Sequence, residues 1–359
     1  METLERRYDI DWIRVIAIGL LLIYHITITF QPWAPLLMFM KSSEPIEALW
    51  IPMSVINVWR IPLLFFVSGM GVCFAIRRRD WKALIKERSL RILLPFLFGM
   101  VAIVPLQIYV WQDYYNQILS YIPMPYHLWF LGNIFIYVVI LSPLFFWLKK
   151  MDGTEISGKI KRFFGSPLGL LIVLALLIVE VMVINPLNFE IYAMNWHGFF
   201  LGIICFWAGF MFVYAGKGFT NMIKKYALAF LSMGIALFLV RYFVYELVAP
   251  YYLVALESFL WVLAVFGLGY RFLNSDSKTL SYLSQAAYPV YILHMVYLNL
   301  ACSLIFGLDI AIELQYVLVV LGTFVGCFAT YELIRRVNFL RPLFGLRLVK
   351  KESKKLAVA

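Results

Sequence analysis

Two ionisable residues, Arg14 and His25, stand eleven positions apart inside the first long apolar segment of the sequence, RVIAIGLLLIYH. In an α-helix eleven residues complete almost three turns, so both side chains fall on nearly one face, about 16 Å apart along the axis. Ionisable groups inside a membrane span face a bundle interior or a cavity, and there they mark a pathway or a site. A neutral imidazole can take a proton from a hydroxyl near neutral pH, which is general-base chemistry; equally, a lone span histidine can be a packed, hydrogen-bonded structural group. Arg14 also has a structural alternative, as a guanidinium that snorkels to the interface or pairs with Asp11 three residues before it.

Other residues could share that chemistry. Arg88 and Arg91 form an RxxR one turn apart on one helix face, a spacing that suits phosphate groups, or else anchoring beside anionic lipid. With Arg14 they are expected to line a basic basement below His25, through which an anionic donor enters. Arg60 is expected near the level of His25, where it would orient a substrate oxygen, stabilise developing negative charge, or pair with a span carboxylate such as Glu180. His294, in YPVYILHM, is a candidate for the same cavity. His127 and His197 stand at span edges and read as interfacial, and Trp129 as an aromatic-belt or packing residue. Arg241 and Glu246 lie five apart, poor spacing for one face, so pairing between helices is expected; the partners of Glu180, Glu257 and Glu332 stay open. Cys73, Cys205, Cys302 and Cys327 all sit in apolar segments without CxxC or Cys/His spacing, so no metal site is expected.

The elements that must position these groups are membrane spans. Hydrophobic residues make up 63% of the 359 and charged residues 14%, which excludes an ordinary soluble domain. Apolar runs are expected to form about ten helices, near residues 11–30, 51–76, 91–111, 127–148, 167–187, 196–214, 226–247, 251–272, 284–306 and 312–334. The net charge of +11 is not a nucleic-acid signal, because the basic residues gather at alternate joints. With both termini cytoplasmic, every Lys and Arg except Lys41, Arg60 and Arg241 falls on the inner side. The expected fold is thus an all-α integral membrane bundle, with residues 1–340 as one membrane domain and 341–359 as a basic cytoplasmic tail, disordered beyond Lys350. Residues 77–91 alternate basic and apolar side chains, as a helix lying in the interface does. Residues 112–126 are aromatic and proline-punctuated, suited to a lid, a re-entrant element or interface anchoring. Residues 149–162 read as a hydrophilic linker. The first span begins after Arg6 and Arg7 but lacks a small-residue cleavage site, so it is expected to remain.

At this point the sequence resembles membrane acyltransferase family 3. The resemblance rests on Arg14-x10-His25, RIPLLFFVSGM from Arg60, RSLR from Arg88, HLWFLG from His127 and YPVYILH from Tyr288, in that order over about the first 300 residues. The opening RRYDIDWIRVIAIGLLLIYH is similar to the branch of the periplasmic-glucan succinyltransferase, glucan biosynthesis protein C. The resemblance implies a ten-helix bundle in the plasma (inner) membrane that moves an acyl group from cytoplasmic acyl-coenzyme A to a hydroxyl on the outer side. It implies no permanently bound cofactor and a carbohydrate acceptor such as a glucan. It carries His25 over as the catalytic histidine, Arg14 as its motif partner, and Arg88 and Arg91 as the RxxR pair near the donor. Succinyl follows from the branch and acetyl from the wider family. The rival expectation is a transporter or flippase for an anionic or acylated solute, with His25 in a proton relay. Membrane lipid is the expected surroundings, and the residues do not speak to oligomeric state.

Overall fold

Hydrocarbon offers no water to an exposed peptide group, so a spanning segment must bond its own backbone, and the long Leu-, Ile-, Val- and Phe-rich runs become helices. The computed structural model describes residues 7–349. Among them, ten helices are long and apolar enough to cross a membrane: α1 (Tyr8–Thr29), α2 (Glu47–Ile76), α3 (Trp81–Tyr114), α4 (Tyr126–Lys150), α5 (Pro167–Ile184), α6 (Trp196–Ala215), α7 (Lys217–Phe243), α8 (Tyr251–Phe272), α9 (Lys278–Ile305) and α10 (Ile312–Arg336). The described residues contain no β-strand. Both the all-helical class and the span count agree with the hydropathy pattern.

Helix α1 packs against α2, α8, α9 and α10. Two glycines let α2 and α6 approach backbone to backbone. A Cβ on Gly69 would lie 1.8 Å from the Phe206 carbonyl oxygen, and one on Gly209 would lie 2.0 Å from that of Phe66. Such small residues are how helices associate in lipid, where apolar burial alone gives no drive. On the far side, Arg241 of α7 is buried against Glu257 of α8, with Nε to Oε2 at 2.7 Å and Nη2 to Oε1 at 3.0 Å. Its Nη2 also donates to the Ser54 carbonyl of α2 at 2.9 Å, so one guanidinium ties three helices. The expected pairing between helices holds, with Glu257 as the partner.

Helix α3 departs most from regular geometry. Pro95 and Pro105 each follow a π-helical turn, Ser89–Leu93 and Gly99–Ile103, because a proline ring cannot bond the carbonyl four residues back. The Val101 carbonyl released by Pro105 accepts instead from the Tyr121 hydroxyl at 2.8 Å. That bond lays the connection after α3 back along the helix.

Three expectations need correction. Residues 77–91 are not a separate interfacial helix. Asp80 caps the start by accepting from the Ala83 N–H at 2.7 Å, and the helix continues from Trp81 through the π-helical turn Ser89–Leu93 into the rest of α3. The joint 149–162 is not a plain linker, because Thr154 caps a short helix, Glu155–Phe164. The tail does not begin at 341: Phe344 is buried edge-on against Phe98 at 5.4 Å, holding residues 341–349 on the base of α3. The disorder expected beyond Lys350 lies outside the described residues.

Replacing Gly209 with alanine should push α2 from α6 and destabilise the fold by about 1–3 kcal/mol, the usual cost of overpacking. Thermal unfolding in detergent checks this, with Gly19→Ala as the control expected to leave the midpoint unchanged, since a Cβ there meets nothing within 4 Å.

Candidate active site

Near the end of α1 opposite its Arg14, the His25 ring lies edge to edge and nearly coplanar with that of His294 on α9, with an angle of 8° between the rings and centroids 5.1 Å apart. His25 Nδ1 lies 2.9 Å from His294 Nε2, and His294 Nδ1 lies 2.6 Å from the Tyr291 carbonyl oxygen. A carbonyl only accepts, so His294 Nδ1 carries the proton that it donates there. In a neutral ring Nε2 is then an acceptor, and His25 Nδ1–H donates to it. By elimination His25 Nε2 keeps its lone pair. His294 is 0% exposed, while His25 retains surface in a cavity wall. One ring is thus sealed and orients the other.

His127 joins them from α4, contrary to its expected interfacial position. It is buried with its ring edge-on to His294 at 5.0 Å, and Nε2 donates to the Ile292 carbonyl at 3.2 Å. The Tyr291 hydroxyl donates to the His127 carbonyl, which fixes α4 to α9 at this level. His197 is not interfacial either. It is buried, with Nδ1 2.9 Å from Glu180 Oε1 and Nε2 donating to the Phe189 carbonyl at 3.0 Å. Glu180 therefore pairs with His197, and its expected pairing with Arg60 does not occur. Arg60 lies instead over the Tyr24 ring, 4.0 Å from its centroid, a cation held on an aromatic face.

His25 and His127 line a cavity of about 390 Å³ whose walls also include Tyr24, Arg60, Tyr126 and Tyr291, while His294, expected to share it, stands behind His25 and outside the lining. Around it Met38, Tyr126 and Met194 adopt left-handed backbone conformations, with φ of 60°, 40° and 52°. Such strain in residues other than glycine persists only where the surroundings over-determine it, and it gathers at functional sites. Trp129 also lines this cavity, beyond the belt or packing part expected of it.

At the other end of the bundle a cavity of about 1170 Å³ is walled by Arg7, Arg77, Arg78, Arg79, Arg88, Arg91, Lys149 and Lys161, among others. Arg14 is common to both walls. Its Nη2 reaches Asp11 Oδ1 at 3.0 Å while Nε is buried without a partner, so the pairing with Asp11 and a position between cavities coexist. The RxxR pair faces the basic cavity as expected, but with a resident anion. Glu87 lies 3.3 Å from Arg88 Nε and 3.2 Å from Arg91 Nη1. Its spacing of four before Arg91 is a readable helix pair; the contact with adjacent Arg88 is not. Residues 67–71 of α2 contribute to both chambers, Ser68 to one and Val67 and Gly71 to the other.

A family model described as an acyltransferase domain, that of acyltransferase family 3, matches residues 7–332. The chain belongs to acyltransferase family 3. It is a multi-pass membrane acyltransferase, and the match runs from the start of α1 into the last turns of α10, so it takes in the whole lining of the histidine cavity and all of the basic cavity's except Arg347. The comparison with curated proteins gave no match, and neither did that with solved structures. In this acyltransferase the groups able to move a proton and the groups able to hold a polyanion occupy opposite ends of one bundle.

Glu87 neutralises part of the RxxR charge, so Glu87→Gln should tighten binding of a nucleoside polyphosphate about 5-fold at low salt, equivalent to about 1 kcal/mol for a partly exposed pair. Isothermal titration of the detergent-solubilised protein, repeated at high salt where the difference should shrink, checks this.

Proposed function

We propose that this chain is an O-acyltransferase that takes an acyl group from acyl-coenzyme A at its basic end and gives it to a hydroxyl at its histidine end. The observation that carries the reading is the file from the Tyr291 carbonyl through His294 to His25, which leaves His25 Nε2 unprotonated in a residue of the cavity wall. The basic end is assigned to the cytoplasm on the distribution of Lys and Arg, which gives cytoplasmic termini and an inner-membrane location. Coenzyme A phosphates then rest on Arg88, Arg91 and their basic neighbours, where guanidinium forks match phosphate oxygens. The acyl arm passes Arg14, the residue common to both chambers.

His25 acts as general base. The acceptor O–H gives its proton to Nε2 as the oxygen bonds to the thioester carbonyl carbon, whose π electrons move onto the carbonyl oxygen. Collapse of that intermediate breaks the C–S bond, and the departing thiolate takes the proton back from His25. His294 is a positioning residue, since its bond to Nδ1 fixes the ring and supports the imidazolium that forms. The acyl group is proposed as succinyl or acetyl and the acceptor as an extracytoplasmic carbohydrate such as a glucan, on the resemblance of the opening segment and of the family motifs.

In purified protein supplied with acyl-coenzyme A and acceptor, His25→Ala should lower kcat by about 10²–10⁴-fold, the range of a general base. Wild-type turnover by a folded His25→Ala protein would end this reading. Arg88→Ala with Arg91→Ala should instead raise the donor KM at least about 10-fold with kcat largely kept, because phosphate contacts act mainly through uniform binding.

A further inference from the structure

Arg60 is 2% exposed, its Nε and Nη1 have no hydrogen-bond partner, and among the described residues no carboxylate lies within ion-pair distance of it. Glu190, the carboxylate in the same cavity wall, has its ion pair with Arg241, at 3.8 Å. A buried guanidinium without an anion is a costly arrangement unless an anion arrives during function. What surrounds Arg60 is aromatic: Tyr24 beneath it and Tyr192 nearby. Tyr24 precedes His25, and the two rings stand 5.7 Å apart. The free N–H groups are therefore one aromatic ring away from the base.

Four hydroxyl donors in that wall are engaged. The hydroxyls of Ser68, Tyr126, Tyr192 and Tyr291 donate to backbone carbonyls of Leu64, of Leu37 and Met38, of Val58 and of His127 respectively. Arg14 also has an unpartnered Nε, but it stands about 16 Å below His25 along α1. A donor poised for charge that exists only during reaction is the arrangement that lowers a barrier, because it needs no reorganisation when the charge appears.

We infer that Arg60 is a catalytic residue that receives the oxyanion formed when the acceptor oxygen adds to the thioester carbonyl. The inference rests on the acyltransfer reading and extends it. In the addition step the carbonyl π pair becomes the oxyanion held by Nε–H and Nη1–H; when the C–S bond breaks, that pair returns to the carbonyl and the guanidinium is freed. Arg60 keeps its own protons throughout, and His25 carries the one that moves. The competing source of an anionic oxygen at Arg60 is a fixed carboxylate on the acyl chain, and the two are separable by donor.

The test measures kcat and KM of wild type, Arg60→Met and Arg60→Lys with acetyl-, butyryl- and succinyl-coenzyme A, on protein shown to be monodisperse. Arg60→Met should lower kcat at least about 10²-fold for all three donors, with donor KM changed less than about 3-fold and part of the loss recovered in Arg60→Lys. Should the methionine variant not fold, Arg60→Gln is read against the same thresholds. Unchanged kcat overturns the assignment, and so does a loss confined to succinyl-coenzyme A and expressed as raised KM, which would mark a fixed-carboxylate subsite. Absence of wild-type turnover with every donor is a different result, one that removes the thioester reading itself.

Discussion

The hydrogen bond between His25 and His294 joins residues 269 apart in sequence and decides which nitrogen of the first ring is basic. Its direction is set one step further back, by the Tyr291 carbonyl that His294 Nδ1 must serve. The neighbouring contacts support that file: the Tyr291 hydroxyl holds the backbone of His127, and His127 holds the backbone of Ile292. Because α1 packs against four other spans, this position is fixed from several sides. Precise aim in a proton-transfer site comes from such second contacts on rigid helices.

Hydrocarbon accounts for how the other charges are arranged. Arg241 is satisfied by Glu257 and a carbonyl, and His197 by Glu180 and a carbonyl, so both belong to the scaffold. Arg60 has no such carboxylate, whereas Arg14, which like Arg241 keeps one unpartnered nitrogen, is paired with Asp11. The lack of a carboxylate partner therefore sets Arg60 apart both from the scaffold arginine Arg241 and from the paired arginines of the basic chamber. The same contrast disfavours a plain proton-relay transporter, because the basic chamber and the histidine chamber meet at a permanently charged guanidinium and not at a titratable group.

Much of the architecture was legible in sequence because membrane spans write themselves locally, in apolar run length. The Arg14–His25 pair was legible for the same reason, being a spacing within one helix. What sequence could not supply was contact between helices. His127 and His197 look alike at span edges, yet one meets His294 and the other Glu180. Arg60 could be placed at the level of His25, but not that its neighbour would be the Tyr24 ring instead of Glu180. That α3 begins at Trp81 and continues past residue 91 depended on the Asp80 cap and on where the first proline falls, and the basic pattern of residues 77–91 masked both.

The central claim is that donor and acceptor work from opposite faces of one bundle and meet past Arg14. Sealed proteoliposomes with the protein in a single defined orientation test it directly. Acyl-coenzyme A is supplied only on the side of the basic cavity and a membrane-impermeant acceptor only on the side of the histidines. The account predicts acylated acceptor on the far side with free coenzyme A retained on the donor side. Transfer that occurs only when both substrates share one side would contradict it.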